Sequence, residues 1–159
     1  MSVCVFAGTF DPFTNGHEYV VEKCLEMFDK VIIAVGVNVD KKPLFPDEVR
    51  ALAIKKLYEN DKRVEVDLFS GMLTDYMKEK GVKVTVRGLR SVEDYKYENT
   101  MAKYNLDMYP EIITVYIPTP SNLEHVSSTA IRNIIASKGD FSKYLPEKVA
   151  LVLENAKKQ

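Results

Sequence analysis

Gly8-Thr9-Phe10-Asp11-Pro12-Phe13-Thr14-Asn15-Gly16-His17 is the stretch that decides the fold, because it joins two segments of different periodicity. The apolar, β-branched residues 3–7 before it predict a strand, and the amphipathic residues 18–28 after it predict a helix. A helix N-terminus presents unpaired backbone N–H groups and a partial positive charge, which together favour a phosphate group. The stretch therefore predicts an anion site between the first strand and the first helix.

Three residues of this stretch carry the prediction. Gly8 would let a ligand approach the backbone closely, and Gly16 would let the chain enter the helix at an angle that other residues resist. His17 would direct its imidazole at the bound anion. A lone histidine at a helix start is more often a cap or a packed core residue, but its place after a glycine turn favours a phosphate ligand.

Strand and helix patterns alternate along the rest of the chain. Further strands are predicted at about 31–37, 64–68, 82–86 and 112–117, and further helices at about 46–60, 72–80 (ended by Gly81), 92–108, 128–137 and 146–157. Such alternation implies right-handed crossovers and a parallel sheet covered by helices on both faces. The predicted fold class is α/β: a doubly wound, five-stranded parallel sheet forming a single domain over residues 1–159.

The composition limits the class of partner. With 22 Lys and Arg against 23 Asp and Glu, the net charge is −1, so no global field attracts nucleic acid or an anionic membrane. No apolar run reaches the roughly 18 residues of a membrane span, and residues 1–7 lack the basic region of a signal peptide. Cys4 and Cys24 are too few for a disulfide framework or a metal site, so they are expected to be buried thiols. A cytoplasmic protein is expected.

Polar motifs follow four of the predicted strands. Besides the first stretch, they are Asp40-Lys41-Lys42-Pro43 after strand two, Arg87-Gly88-Leu89-Arg90 after strand four, and Ser127-Ser128-Thr129-Ala130-Ile131-Arg132 after strand five. Ligands of open α/β sheets bind outside the carboxyl ends of the strands, so all four segments are expected to meet at one cleft.

Each motif also has a simpler interpretation. A lysine pair in a loop is usually solvated surface, and Arg87 and Arg90 could serve solubility alone, although planar guanidinium forks suit phosphate oxygens. One of the three hydroxyls at 127–129 would suffice as a helix cap, whereas three hydroxyls with Arg132 suggest a polyphosphate nest. Tyr95, Tyr97 and Tyr104 could equally be core residues or a subunit contact.

Taken together, these motifs resemble those of the phosphopantetheine adenylyltransferase family, within the nucleotidylyltransferase superfamily of Rossmann-like fold. The resemblance rests on Thr14-Asn15-Gly16-His17, Lys41-Lys42-Pro43, Arg87-Gly88-Leu89-Arg90, Tyr97-Glu98 and the serine-rich segment 127–132, and it extends over essentially the whole chain. Val126, where isoleucine is common, is a conservative departure.

The resemblance implies transfer of AMP from ATP to 4′-phosphopantetheine, giving dephospho-coenzyme A and pyrophosphate in coenzyme A biosynthesis. His17 would stabilise the transition state, Thr9 would position the attacking phosphate, and Lys41, rather than Lys42, would bridge the attacking and α-phosphates. Because the nucleophile is the ionised phosphate of the substrate, catalysis needs alignment and charge stabilisation but neither a covalent intermediate nor a general base.

The resemblance further divides the site residues between two substrates. Catalytic roles fall to Thr9, His17, Lys41 and Arg90; ATP would contact Thr9, Phe10, His17, Gly88, Leu89, Arg90, Glu98, Leu123, Glu124, His125, Val126, Ser127, Ser128 and Thr129; phosphopantetheine would contact Thr9, Lys41, Leu73 and Arg87. Mg²⁺ would accompany ATP, although no carboxylate cluster indicates a metal cage built by the protein. The family also implies a homohexamer that binds coenzyme A and its dephospho form.

Two alternatives stay open from the sequence. A related enzyme could adenylylate nicotinamide mononucleotide, or could use CTP on a polyol phosphate or an amino-alcohol phosphate. A non-catalytic copy of the fold could sense nucleotide or coenzyme A, although the intact Thr9, His17 and Lys41 argue against that.

Overall fold

The computed structural model describes residues 1–157 and has an alternating order of strands and helices over that range. The strands are β1 (Val3–Gly8), β2 (Lys30–Val37), β3 (Val64–Ser70), β4 (Val84–Leu89) and β5 (Ile113–Pro118). The helices are α1 (Asn15–Met27), α2 (Asp47–Leu57), α3 (Leu73–Lys80), α4 (Val92–Met108), α5 (Ser128–Ala136) and α6 (Glu147–Lys157). Two single 3₁₀ turns lie at Ser121–Leu123 and Ser142–Tyr144.

The five strands form one parallel sheet in the order β3-β2-β1-β4-β5. The chain builds outward from β1 to β3 and then returns to the other side of β1 through α3 and β4. The predicted doubly wound, five-stranded sheet is thereby confirmed. The strand order reverses between β1 and β4, which is where ligands of such sheets bind.

Alternating residues of the strands pack into two apolar layers, one on each face of the sheet. Cys4 and Phe6 of β1 join the larger layer, which also contains buried residues of α1, α2, α5 and α6. Val5 and Ala7 of the same strand join the smaller layer, against α3 and the segment that follows α4. Both cysteines are buried free thiols in the larger layer, as the sequence predicts.

The predicted elements are all present, and their ends differ from the predictions by a few residues. Helix α1 begins at Asn15 instead of 18, because Thr14 caps it, and α2 stops at Leu57. Gly81 ends α3 in the left-handed region at φ 70°, as predicted. Residues 158 and 159 of the predicted single domain lie outside the described residues. Within residues 1–157, no helix combines the length and apolar character needed to cross a membrane.

Candidate active site

A cavity of about 430 Å³ opens at the carboxyl ends of β1 and β4, at the reversal point of the sheet. Among the residues with predicted site roles, those that line it are Thr9, Phe10, His17, Lys41, Arg87, Gly88, Arg90, Glu98, Val126, Ser127, Ser128 and Thr129. Leu73, Leu89, Leu123, Glu124 and His125 are not among its lining residues. Four separate loops therefore meet at one cleft, in the arrangement that the sheet topology predicts, and their ligand contacts stay a prediction.

Two helix N-termini converge on this cavity. Gly16 and His17 belong to the first turn of α1, and Ser128 and Thr129 to the first turn of α5, and all four line the cavity. The helices approach so closely that a Cβ added to Gly16 would lie 3.8 Å from the carbonyl oxygen of Val126. Two positive helix ends that face one cavity make it favourable for an anion.

His17 is held by a capping box. The Thr14 N–H donates to His17 Nδ1 at 2.9 Å, while the His17 N–H donates to Thr14 Oγ1 at 3.3 Å. Because Nδ1 accepts a hydrogen bond, the proton of the neutral ring sits on Nε2. The simple reading of His17 as a cap is therefore correct and is compatible with a role in the cleft, where Nε2–H remains available as a donor.

The surroundings of His17 keep its imidazole neutral. The rings of Phe6, Phe10 and Phe13 lie with their centroids 5.0 to 6.1 Å from the imidazole centroid. Burial, followed by the positive charges of Arg87 and Arg90, lowers the pKa of His17 from 6.5 to about 3. At neutral pH the residue is thus an uncharged hydrogen-bond donor.

The predicted role of Gly16 is wrong in one respect. Gly16 has no left-handed backbone angle, and the residue of this loop that does is Phe10, with φ 53°. Phe10 turns its ring back over the end of β1, where a Cβ on Gly8 would lie 3.0 Å from that ring. The sharp turn is therefore made at Phe10, and Gly8 is needed for the close packing of that ring.

The lysine loop places Lys41 at the cavity, whereas Lys42 is not among the lining residues. The Lys41 N–H donates to the Asn38 carbonyl at 3.2 Å, and both lysine side chains are exposed. This placement favours Lys41 as the member of the pair that meets a ligand.

Arg87 and Glu98 form a bidentate ion pair. Arg87 Nε and Nη2 each donate to a Glu98 carboxylate oxygen at 2.9 Å, and Nη1 donates to the carbonyl of Ala7 on the adjacent strand. The family resemblance assigns these two residues to different substrates, whereas the structure joins them on one wall of the cavity. Any ligand that approaches Arg87 therefore meets a guanidinium already fixed by Glu98.

Arg90 is oriented by the first turn of α4. The Asp94 carboxylate accepts the Arg90 N–H at 2.9 Å and lies 3.3 Å from Arg90 Nε. The Ser91 hydroxyl caps the same helix by accepting the Asp94 N–H at 3.1 Å. Asp94 also lines the cavity and is one of the residues that sequence reasoning missed.

The three hydroxyls that open α5 have different partners. Ser127 is the cap and accepts the Ala130 N–H at 3.1 Å, while Ser128 donates to the carbonyl of Pro12 at 2.8 Å. Thr129 accepts a hydrogen bond from Arg132, which also donates to the carbonyl of Asp11 at 2.8 Å. One hydroxyl is thus the cap, and the other contacts tie α5 to the loop after β1.

A second cavity, also about 430 Å³, lies beside the ends of β2 and β3. Thr9 lines both cavities, and Gly36 and Phe69 belong to the second alone. Leu73 begins α3 two residues beyond Gly71, the last lining residue of the second cavity. Thr9 is therefore the residue at which the two cavities meet.

Two further residues escaped sequence reasoning, Asp11 and Arg50, which are 3% and 2% exposed. A charged side chain with so little exposure needs partners, so each is a sign of an internal contact. The pattern of apolar and polar residues gives no sign that either side chain is buried. The one signal in the sequence is the position of Asp11 within the loop after the first strand.

The cleft is lined mainly by cationic, hydroxyl and backbone groups. Within residues 1–157, no group of three or more His, Cys, Asp or Glu side chains is arranged to hold a metal ion. The donor set suits the phosphate oxygens of a nucleotide better than a bare cation.

Comparison with known proteins gives consistent results. The family described as Cytidylyltransferase-like matches residues 5–134. The chain is 40% identical over 147 residues to a phosphopantetheine adenylyltransferase of Alkaliphilus metalliredigens, covering 92% of this chain and 94% of that one. It is also 40% identical over 149 residues to the enzyme so named from Clostridium botulinum strain Eklund 17B, covering 94% of both chains.

A solved structure shares the fold at low sequence identity. It is the bifunctional NMN adenylyltransferase/ADP ribose pyrophosphatase of Francisella tularensis, with a TM-score of 0.73 and 17% identity. The match covers 97% of this chain and 49% of that longer one, so this chain spans about half of its length.

The fold, the reversal point and the family match together define a protein of the cytidylyltransferase-like class, with the Rossmann-like sheet of nucleotidylyltransferases. Within that class, the extent of the likeness to its curated relatives is decisive. The chain belongs to the phosphopantetheine adenylyltransferase family.

Proposed function

We propose that this protein transfers AMP from ATP to 4′-phosphopantetheine, forming dephospho-coenzyme A and pyrophosphate. The observation that carries the proposal is the cleft at the end of β1, where the neutral donor His17 and the cations Lys41, Arg87 and Arg90 surround one cavity. Membership in the family supplies the substrate class.

The reaction is an in-line displacement at the α-phosphorus of ATP. A bond forms between a phosphate oxygen of the acceptor and the α-phosphorus, and the bond from that phosphorus to the β-phosphate oxygen breaks, so that pyrophosphate leaves with the electron pair. The acceptor phosphate is already ionised at neutral pH, so no side chain removes a proton.

His17 and Lys41 stabilise charge at the reacting phosphorus. The Nε2–H of His17 donates to an α-phosphate oxygen without adding a second positive charge, and its fixed ring costs no reorganisation during the reaction. Lys41 bridges the attacking and α-phosphates from the opposite loop. Arg90, which Asp94 orients, stabilises the charge of the leaving pyrophosphate.

ATP occupies the side of the cavity between β4 and α5. Its contacts in the cavity are Thr9, Phe10, His17, Gly88, Arg90, Glu98 and residues 126–129, where a helix N-terminus suits the triphosphate. Leu89 and residues 123–125, which do not line the cavity, are assigned to ATP by the family resemblance alone. Mg²⁺ enters with ATP as part of the substrate. In support, a second Francisella tularensis structure of the bifunctional enzyme is complexed with AMP and a manganese ion.

The acceptor occupies the second cavity and the junction at Thr9. Its phosphate contacts Thr9, Lys41 and Arg87, and its pantetheine arm extends past Phe69 towards Leu73. Two cavities that share one residue suit a reaction in which the phosphate of one substrate attacks a phosphate of the other. Coenzyme A and dephospho-coenzyme A, which contain the same arm, bind here as well.

The test is pyrophosphate release with purified protein, ATP and Mg²⁺. 4′-Phosphopantetheine should give pyrophosphate and dephospho-coenzyme A in equal amounts, whereas pantetheine, which lacks the attacking phosphate, should give neither. Turnover of nicotinamide mononucleotide, or of CTP with a polyol phosphate, would identify a related enzyme instead. Binding of ATP and coenzyme A without any turnover would identify a sensor.

The proposal extends to assembly and location. We propose a homohexamer: the family resemblance implies the number of subunits, and the exposed apolar side chains of α4, which has no buried residue, support a contact between subunits. A cytoplasmic location remains a prediction from the sequence.

A further inference from the structure

The carboxylate of Asp11 binds the far end of the lysine loop. Its Oδ2 accepts the Leu44 N–H at 2.8 Å and its Oδ1 accepts the Phe45 N–H at 3.0 Å. Both oxygens of a buried carboxylate are thus directed at two successive backbone groups, across 33 and 34 residues of sequence. Hydrogen bonds to an ionised acceptor are roughly twice as strong as neutral ones, so this contact firmly anchors residues 44–45.

The buried guanidinium of Arg50 joins the same two loops. Its Nη1 donates to the carbonyl of Thr9 at 2.6 Å and to that of Gly36 at 3.1 Å, and its Nε donates to the carbonyl of Phe45 at 3.0 Å. One side chain therefore connects the end of β2, the end of the lysine loop and the loop after β1. Asp47 pairs with its remaining nitrogen, Nη2.

These contacts constrain Lys41, which has little support of its own. Its side chain is exposed, and its only backbone contact in the described part of the chain is the turn to Asn38. Leu44 is three positions further along the chain, with two residues between, so an anchored Leu44 keeps the Lys41 Cα within about 10 Å of that point. Thr9 lies two residues before Asp11 in the opposing loop, and Arg50 holds its carbonyl.

We propose that Asp11 is a positioning residue for the transfer reaction: with Arg50, it fixes residues 41–45 against residues 9–11, so that Lys41 faces Thr9 across the acceptor phosphate. The inference rests on the proposed function, because it assigns Asp11 an effect that passes through Lys41. Asp11 lines the first cavity, but both of its carboxylate oxygens are engaged by backbone N–H groups of the lysine loop, so its effect is assigned to the position of that loop.

The first test needs no variant and no activity. Amide hydrogen exchange on the ligand-free wild-type protein should show a protected Leu44 N–H, although Leu44 is 47% exposed. The reference is Lys42, whose N–H has no acceptor within residues 1–157 and should exchange freely. Exchange of Leu44 at the rate of Lys42 would overturn the anchor.

The second test is a double-mutant cycle on kcat/KM for phosphopantetheine. Asp11→Asn should lower it by about 10- to 100-fold, because small displacements of a positioning group are costly. In a Lys41→Ala background, the same substitution should cost less than about twofold, because the residue through which it acts is gone. A loss in the double variant equal to the product of the two single losses would refute the proposal.

Controls separate this proposal from its alternatives. Asp61→Asn removes an aspartate that likewise accepts a backbone N–H, that of Arg63 at 3.0 Å, but lies outside the cavities, and it should keep full activity. If Asp11→Asn does not fold, Asp11→Glu replaces it in the cycle, with the same expectation of non-additivity. An inactive wild-type protein would refute the proposed function, while the exchange of Leu44 would still decide whether Asp11 anchors the loop.

Discussion

At the scale of single residues, His17 shows how a helix cap becomes a donor to substrate. Its Nδ1 is occupied by the Thr14 N–H, which leaves Nε2–H as the donor of a residue that lines the cavity. His17→Ala should lower kcat by about 10²–10³, the usual cost of losing one preorganised donor, with much smaller changes in KM.

Thr14→Ala is the matched control for this prediction, because it removes the hydroxyl cap and keeps the imidazole. Thr14→Ala should lower the free energy of unfolding by about 1 kcal/mol. Its loss of activity should be much smaller than that of His17→Ala. Steady-state kinetics and urea unfolding of both variants make the comparison. Near-normal turnover of His17→Ala would exclude the assigned role.

The lowered pKa of His17 also makes the stability of the fold depend on pH. In the unfolded chain the imidazole binds a proton below about pH 6.5, whereas in the folded protein it resists protonation down to about pH 3. The unfolded state therefore binds more protons in this window, and stability falls as the pH falls, by at most about 1.4 kcal/mol per pH unit.

The measurement is urea unfolding of the wild type and of His17→Gln between these two pH values. The glutamine retains an amide oxygen for the Thr14 N–H but does not titrate. The free energy of unfolding of His17→Gln should therefore change less with pH than that of the wild type. Parallel curves for the two proteins would contradict the neutral, desolvated imidazole. Above pH 6.5 the two slopes should coincide.

Lys41 lines the cavity and Lys42 does not, and this difference should appear in kinetics. Lys41→Ala should strongly reduce turnover, and Lys41→Arg should restore it poorly, because a planar fork cannot replace a compact charge that follows two phosphates as they approach. The same substitutions at Lys42 should be mild. A larger effect at Lys42 would reverse the assignment within the pair. Wild-type turnover in all four variants would mean that the loop is solvated surface and contacts no substrate.

At the scale of elements, helix and strand patterns predicted most of what the structure contains. The run 31–37 predicted β2 to within one residue, because a strand covered on both faces must be apolar throughout. The rule that ligands bind at the carboxyl ends of parallel strands was enough to predict that the four polar loops meet at one cavity.

The missed features depend on contacts between distant segments. Arg50 lies in α2, where one charged residue does not disturb an apolar periodicity, yet its guanidinium reaches carbonyls 5, 14 and 41 residues away. The pairing of Arg87 with Glu98 likewise needs the packing of α4 against β4. The Gly16 prediction was wrong because the residue with the left-handed φ is Phe10. The packing of the Phe10 ring cannot be predicted from the residues next to it in the sequence.

The first turn of α5 carries a prediction about substrate preference. Thr129→Ala removes a hydroxyl that lines the cavity and accepts a hydrogen bond from Arg132, so both the nest and the direction of that guanidinium change. Ser128→Ala removes the hydroxyl that donates to Pro12 at the same helix end. Both variants should weaken ATP binding more than phosphopantetheine binding.

Titration calorimetry with each substrate measures this difference. Ser142→Ala, in the half-buried turn before α6 and outside both cavities, is the control and should leave both affinities unchanged, since its hydroxyl donates to Asp140. Equal losses for both substrates at Thr129 would contradict the division of the cleft between nucleotide and acceptor.

At the scale of the whole molecule, the two sides of the sheet are unequally covered. Helices α1, α2, α5 and α6 each bury side chains in the larger layer, whereas α4 runs for 17 residues without one buried residue. Tyr95, Tyr97 and Tyr104, which the sequence left open between core and subunit contact, are exposed and so are not core. A long helix without a buried face of its own gains stability when another surface covers it.

The molar mass in solution tests this argument. A homohexamer of an 18.1 kDa chain has a mass of about six times that value, roughly 109 kDa, which light scattering after size exclusion separates clearly from a monomer. A double substitution of Tyr97 and Leu106 of α4, both more than half exposed, to aspartate should lower the mass, because buried charges without partners destabilise an apolar interface.

Leu151→Asp is the matched control for this substitution, since Leu151 of α6 is equally exposed on the other side of the sheet and should keep the wild-type mass. A wild-type mass of 18.1 kDa would refute the assembly. A lower mass for Leu151→Asp, with the wild-type mass for the α4 variant, would show that the subunit contact involves α6 and not α4. Because Glu98 lies on α4 and pairs with Arg87 in the cleft, dissociation at α4 should also alter the KM for phosphopantetheine, whereas a contact through α6 should leave it unchanged.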